Sequence, residues 1–194
     1  FLMWRSQQDV KKASIAIIRM LLQLMLVGYF LLYIFQQPSA WLISVLLLLM
    51  MMVASWLALN VTNRINLKLY LDAAISLLVG GGSILIIITQ GVLDIKPWYN
   101  PQYMIPLAGM IFASSMTAIS LALERFEAEL KHYSVPQASD KAFKAAMIPI
   151  VNSMLAVGVV SLPGMMTGQI LSGVEPFIAA RYQIMVMCMI FSAT

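Results

Sequence analysis

Charge is scarce in this chain, and so are the side chains that build most chemical sites. Asp, Glu, Lys and Arg make up 10% of 194 residues, while 61% are hydrophobic. A soluble domain carries roughly 25% charge. The chain therefore lacks the polar surface to cover a water-soluble particle, and most of it must face lipid or other lipid-facing helices. Its one cysteine, Cys188, excludes an intrachain disulfide framework and a cysteine-built zinc site. Its one histidine, His132, excludes a histidine-paired metal site within a single chain. No G-x-x-x-x-G-K-[ST] run occurs, so there is no P-loop. The "GGGS" at 80–83 lacks the lysine and lies in an apolar run. Any ATP hydrolysis coupled to this protein belongs to another chain. A net charge of +4 would raise nucleic acid as a partner. The basic residues fall in particular loops, however, which reads as membrane topology and not as nucleic-acid binding. There is no clear cleavable signal peptide. The abrupt start and the end inside an apolar run are expected of a portion of something longer.

What is present is a series of long apolar runs. A spanning helix needs about 20 largely apolar residues. Six stretches qualify: 13–35, 41–60, 69–89, 103–123, 146–172 and 178–194, the last cut short. A transmembrane β-barrel would show alternating segments of about 10 residues. These runs are continuous and rich in Leu, Met and Ile, so the expected fold is an all-α polytopic transmembrane helix bundle. Arg5, Lys11, Lys12, Arg64, Lys68, Arg125, Lys131, Lys141 and Lys144 fall before the first run or in the loops after the second and fourth. Only Lys96 and Arg181 fall in the opposite loops. The positive-inside rule thus places the first residues, the 61–68 loop and the 124–145 loop in the cytoplasm. Trp98, Tyr99 and Tyr103 then lie in an outer loop, where amphipathic aromatics favour the headgroup level.

Residues 124–145, "ERFEAELKHYSVPQASDKAFKA", form the one sizeable polar stretch. "ERFEAELKHY" suits a helix, with Glu127 and Lys131 spaced i,i+4 in the favoured order and Phe126 four residues from Leu130. Pro136 breaks the pattern, and Ser139 is a candidate cap for a second short helix. The segment is either a docking element for a cytoplasmic partner or a solvated loop helix.

Polar groups in lipid are costly and usually face a bundle interior. Arg19 and Gln23 share a face of the first run, and Arg19 is close enough to the end to snorkel. Asp72 suits a helix N-terminus or a pair with Lys68. Asn152 and Ser153 serve either as interhelical glue or as pathway groups. In "VSLPGMMTGQILSG" at 160–173, Pro163 removes a backbone hydrogen bond and Gly164 loosens the helix. Broken backbone at membrane depth is tolerated where protein or a water-filled cavity covers it. Thr167 and Gln169 are candidate partners for the freed groups. The break is either a gate in a lined pathway or a packing kink. Met165 and Met166 are soft donors, although Met in apolar helices is chiefly a packing residue. Glu175 lies just past the break and is either an exit ligand for a cation or an exposed loop carboxylate. Polar faces on the third and fifth runs, and the Gly80-Gly81-Gly82 run, suit close association with further helices, and hence a dimer.

"VSLPGMMTGQILSGVEPFIAARYQIMVM" at 160–187 resembles the signature of the FetB-type permeases, integral membrane subunits of an ABC transporter linked to iron export. Plant aluminium-sensitivity permeases belong to the same superfamily. "IPLAGM" at 105–110, "LALERF" at 121–126, "IPIVNSM" at 148–154 and "RMLLQLMLVGYFLLYIF" at 19–35 are similar to the family's other blocks, in the same order. Two features depart from the pattern. Ala113-Ser114 stand where the family usually has Gly-Asn, and a "LALGA" stretch is missing between Lys131 and Ser134. The resemblance also implies one further helix before these six.

The resemblance implies that 1–194 form one transmembrane permease domain in a bacterial plasma or inner membrane. It further implies a permease homodimer bound to two copies of an ATPase subunit that holds ATP and Mg²⁺, with no cofactor in this chain. Iron is the favoured metal cargo. The 124–145 segment becomes the ATPase-coupling element, with Glu124, Arg125, Glu127, Lys131 and Pro136 as its residues. The pathway or gate would be drawn from Asn152, Pro163, Gly164, Met165, Met166, Thr167, Gln169 and Glu175. Glu175, Met165 and Met166 are the candidate metal ligands. The competing expectation is a channel or secondary transporter that needs no ATPase.

Overall fold

The computed structural model describes residues 7–62 and 66–194, with side chains from residue 13 onward. Arg5, Arg64 and the side chains of Lys11 and Lys12, all used to orient the chain, lie outside the described residues. Among the described residues seven helices follow one another: α1 Gln7–Gln36, α2 Ala40–Ala58, α3 Leu67–Val92, α4 Pro101–Glu129, α5 Val135–Ala156, α6 Gly164–Leu171 and α7 Pro176–Ala193. No strand occurs among the described residues; one isolated bridge joins Val157 and Ser161. Five of these helices, α1, α2, α3, α4 and α7, are long and apolar enough to cross a membrane. The chain is an all-α polytopic membrane protein. It divides into two compact units, residues 1–40 and 41–194. The first unit is α1, whose membrane-length segment is Ala13–Gln36. Arg19 and Gln23 sit on it as exposed side chains.

Within the second unit, local sequence sets the helix ends. Asn66 caps α3 by accepting a hydrogen bond from the Leu69 backbone N–H at 2.7 Å. Asp72 lies beyond the first turn and makes no ion pair with Lys68, so neither role expected of it is filled. Asn100 caps α4 through the Gln102 N–H, and Pro101 occupies the first turn, where its missing N–H has no cost. α4 runs for 29 residues, through the polar "ERFEAE". At about 1.5 Å per residue that is about 43 Å, more than the ~30 Å hydrocarbon layer.

α3 is not uniform. Leu77–Gly81 and Ile87–Val92 wind as π-helix, each a local widening of the helix. Gly81 is buried in the first of these, and a Cβ there would lie 2.8 Å from Ile111 Cγ2 on α4. Gly81 thus serves packing inside the chain. Ile43, Leu59, Leu77, Ile111, Val186 and Met189 are almost wholly enclosed and mark the core shared by α2, α3, α4 and α7. Hydroxyls tie it across helices: Ser120 Oγ donates to the Ala58 carbonyl at 2.9 Å, and Ser115 Oγ to the Ala193 carbonyl at 3.0 Å.

Two expectations about the fifth run change. Pro136 opens α5 instead of breaking a helix: Ser134 is the N-cap residue, and a proline in the first turn blocks no hydrogen bond. Ser139, expected as a cap, lies inside α5. The stretch 146–172 is also not one helix. α5 ends at Ala156, residues 157–163 turn, and α6 begins at Gly164 with Pro163 as its cap. Pro163 therefore starts a helix. The break comes earlier, where Val157 is extended and Gly158 has φ +82°. Its freed N–H groups are met locally: Val159, Val160 and Ser161 all donate to the Ala156 carbonyl, and Gly158 donates to the Ser161 carbonyl. Thr167 and Gln169 are not needed for this.

Candidate functional site

Three cavities lie in series along α5. The first, about 390 Å³, is bounded by α4 from Ala118 to Phe126 and by α5 from Ser139 to Met147. The second, about 200 Å³, is bounded by Ser114 and Thr117 of α4, Ser153 of α5 and Thr194, so hydroxyls are its polar groups. The third, about 300 Å³, holds Met154, Met166, Gln183, Met187 and Cys188. Neighbouring cavities share walls. Ala118, Ala146 and Thr194 line the first and second, and Met187 lines the second and third. The seam follows α5 from Ser139 to its C-terminus, about 26 Å at the helical rise, and its first turns belong to the polar 124–145 segment. Alanines at 118, 138, 142 and 146 are buried there and let α4 and α5 lie close.

A fourth cavity, about 440 Å³, lies apart from the seam between the starts of α4 and α7 and α6. Met165, Gln169, Tyr103, Tyr182, Met110 and Met185 line it. The Oε1 atoms of Gln169 and Gln183 are both enclosed and have no hydrogen-bond partner. Each faces one of the two cavities beside α6.

These positions divide the residues that the sequence singled out. Met165 and Gln169 meet in the fourth cavity, while Met166 faces the third. Successive residues on a helix point about 100° apart, and here the two methionines line different cavities. Glu175 is exposed at the cap position of α7, and its neighbour Val174 lines the fourth cavity. Pro163 and Gly164 form the start of α6, and Thr167 is half-buried on it. Asn152 is exposed on α5, whereas the adjacent Ser153 lines the second cavity. Sequence reasoning missed Ser114, Thr117, Gln183 and Met187. A faint signal existed for the first two, since hydroxyls three residues apart share a helix face.

The polar end of the chain is built around Glu129, which is buried at 7% exposure. Arg125 pairs with it one turn back, and Lys141 Nζ approaches its Oε2 at 2.9 Å from α5. The same ammonium stands 3.3 Å from the Tyr133 ring centroid. The hydrogen bond to Glu129, with a further one to Tyr133, raises the Lys141 pKa above its ordinary value against the opposing effect of desolvation. This cluster locks the turn between α4 and α5. Glu127 accepts a hydrogen bond from Thr62 Oγ1 in the α2–α3 loop instead of pairing with Lys131. That bond puts Thr62 and the 124–145 segment at the same end of the second unit. Glu124, Lys131 and Pro136 are exposed there. At the other end, Lys96 pairs with Asp94 at 2.8 Å, and Trp98 packs edge-on against Tyr99.

Among the described residues, no three His, Cys, Asp or Glu side chains converge as a metal site. No solved structure matches the chain. Curated sequences do. The chain is 36% identical over 195 residues to the UPF0014 membrane protein slr1647 of Synechocystis, covering 89% of this chain and 73% of that one. It is 33% identical over 191 residues to the probable iron export permease protein FetB of Escherichia coli, covering 90% and 72%. To the ALUMINUM SENSITIVE 3 protein of Arabidopsis thaliana it is 29% identical over 191 residues, covering 90% and 68%. A family model described as "Uncharacterised protein family (UPF0014)" matches residues 1–135 and 131–194. The two matches meet where the "LALGA" stretch is missing. A match over the full length, to a polytopic helical fold, places the chain in one group: it belongs to the UPF0014 family.

Proposed function

We propose that this chain is the permease subunit of an ATP-driven ABC exporter of metal ions. A separate subunit binds ATP and Mg²⁺, two permease copies assemble, and the end bearing 124–145 faces the cytoplasm. Iron is the favoured cargo, by analogy with the printed name of the Escherichia coli relative. The observation that carries the reading is the seam along α5. Three adjoining cavities follow α5, with hydroxyls at mid-course. Small polar groups between apolar walls suit passage better than tight retention. The seam ends beside the locked α4–α5 turn, so a partner pressing on that turn moves one wall of the route. With no P-loop in this sequence, the reading puts hydrolysis on the partner. Lys68, Arg125, Lys131, Lys141 and Lys144 at the polar end support its cytoplasmic orientation.

The test is uptake into inverted membrane vesicles with the ATPase subunit present, comparing Fe(II), other divalent metals and no metal. ATP-dependent iron uptake is expected. Ser153→Leu, which fills the mid-course cavity, should lower the initial rate about tenfold, as a displaced pathway group can. Met166→Leu tests the far end of the seam in the same assay, and Glu175→Gln and Gln169→Ala test the ground beside it. Uptake that ignores ATP would favour the channel or secondary transporter. Normal uptake in Ser153→Leu would remove the seam as the route.

A further inference from the structure

We propose that the third cavity is a binding site for a soft monovalent cation, Cu(I) or Ag(I). Met154, Met166, Met187 and Cys188 all line this one space, with Cys188 on its exposed side. Thioether and thiolate are the donors that select Cu(I). Gln183 lines the same cavity at 5% exposure, and its Oε1 has no hydrogen-bond partner. A buried amide oxygen is normally satisfied, and a cation held by the sulfurs would satisfy it as a weak additional ligand.

Charge favours the same ion class. Binding proceeds as Cys188–SH plus M⁺ giving Cys188–S–M plus H⁺, with the proton passing to solvent and no change of oxidation state. The product is neutral, which an apolar cavity tolerates; a divalent ion would leave a buried net charge. Fe(II), a harder ion, finds no carboxylate or imidazole here. The site therefore serves a second ion class. The inference rests on the seam of the transport reading but goes beyond it, naming a second ion class for its far end. Binding is read without ATP or transport, so either can fail alone.

The experiment titrates the purified full chain in detergent with Cu(I) against a chromophoric Cu(I) chelator under ascorbate, and repeats it with Ag(I). One ion per chain is expected, with Fe(II) failing to compete. Met166→Leu and Met187→Leu, which conserve volume, should each weaken binding about tenfold, and Cys188→Ser about a hundredfold, losses of the size that even outer-shell partners cause at other metal sites. Gln183→Leu should weaken it severalfold, and Met165→Leu, in the fourth cavity, should leave it unchanged. Thermal unfolding of each variant checks the fold. Binding abolished by Cys188→Ser yet unaffected by both Met variants would reduce the site to a surface thiol and overturn the proposal. So would no binding by the wild-type chain. Intact Cu(I) binding without ATP-dependent uptake would sink the transport reading alone.

Discussion

At Gly81, α3 and α4 come closer than a methyl group allows. The Cβ of an alanine would lie 2.8 Å from Ile111 Cγ2, and Ile111 is fully enclosed and β-branched, so it cannot swing aside. Gly81→Ala is expected to destabilise the protein by about 1–3 kcal/mol through overpacking. Gly82→Ala, whose nearest neighbour is Leu78 Cδ1 at 3.9 Å, should be near neutral. Thermal unfolding in detergent checks both, and Ile111→Ala should rescue Gly81→Ala if the clash is the cause. At the polar end, Lys141 has its pKa raised chiefly by its hydrogen bond to Glu129. A raised lysine contributes stability in full below its unfolded value of about 10.4, and loses it as pH climbs through the folded value. Amide exchange in 130–136 should therefore be pH-insensitive, after correction for intrinsic rates, up to about pH 10, and quicken above it. Lys141→Met should quicken it at neutral pH.

Among the elements, the α4–α5 hairpin and the α5–α6 break carry most of the functional argument. Arg125 and Glu127 have partners inside the chain, Glu129 and Thr62, so replacing them disturbs the fold as well as any docking. Glu124 and Lys131 are exposed and are the cleaner probes. The double variant Glu124→Ala, Lys131→Ala is expected to lower ATPase co-purification at least severalfold without lowering the unfolding temperature. Unchanged association would remove this hairpin as the docking element. The break between α5 and α6 depends on Gly158, at φ +82°. Gly158→Ala should cost about 1–2 kcal/mol, the penalty of a left-handed backbone for a residue with a Cβ. Gly164→Ala, in an open helical position, should cost little. Equal effects in an unfolding assay would mean that the turn is not what holds α6 in place.

For the whole molecule, the seam is the reason to expect assembly. Its hydroxyl-lined middle is poorly suited to lipid, because an uncovered polar group in hydrocarbon is costly. A second copy laid against α5 and α7 would cover it. Crosslinking in native membranes should yield a dimer, and the yield should fall when Ile184, exposed on α7 beside the third cavity, is replaced by Lys. Recovery of monomer alone would count against a dimeric permease. The sequence by itself determined the class of the protein. Long uncharged runs permit only helices in lipid, because every backbone group must be satisfied within the segment. It also marked the polar end through its basic loops, and the family through "LPGMMTGQ". Several placements were beyond it. Lys141 reaches Glu129 from across a turn, twelve positions away, so the local spacing of Glu127 and Lys131 pointed to the wrong pair. Pro163 was read as a breaker because a proline in an apolar run has two meanings, and only the backbone at Gly158 decides between them. Met165 and Met166 look like one soft pair in the chain, but the helical turn sends them into separate cavities. The seam itself is assembled from α4, α5, α6 and α7, whose facing residues come together through helix packing that no local pattern encodes.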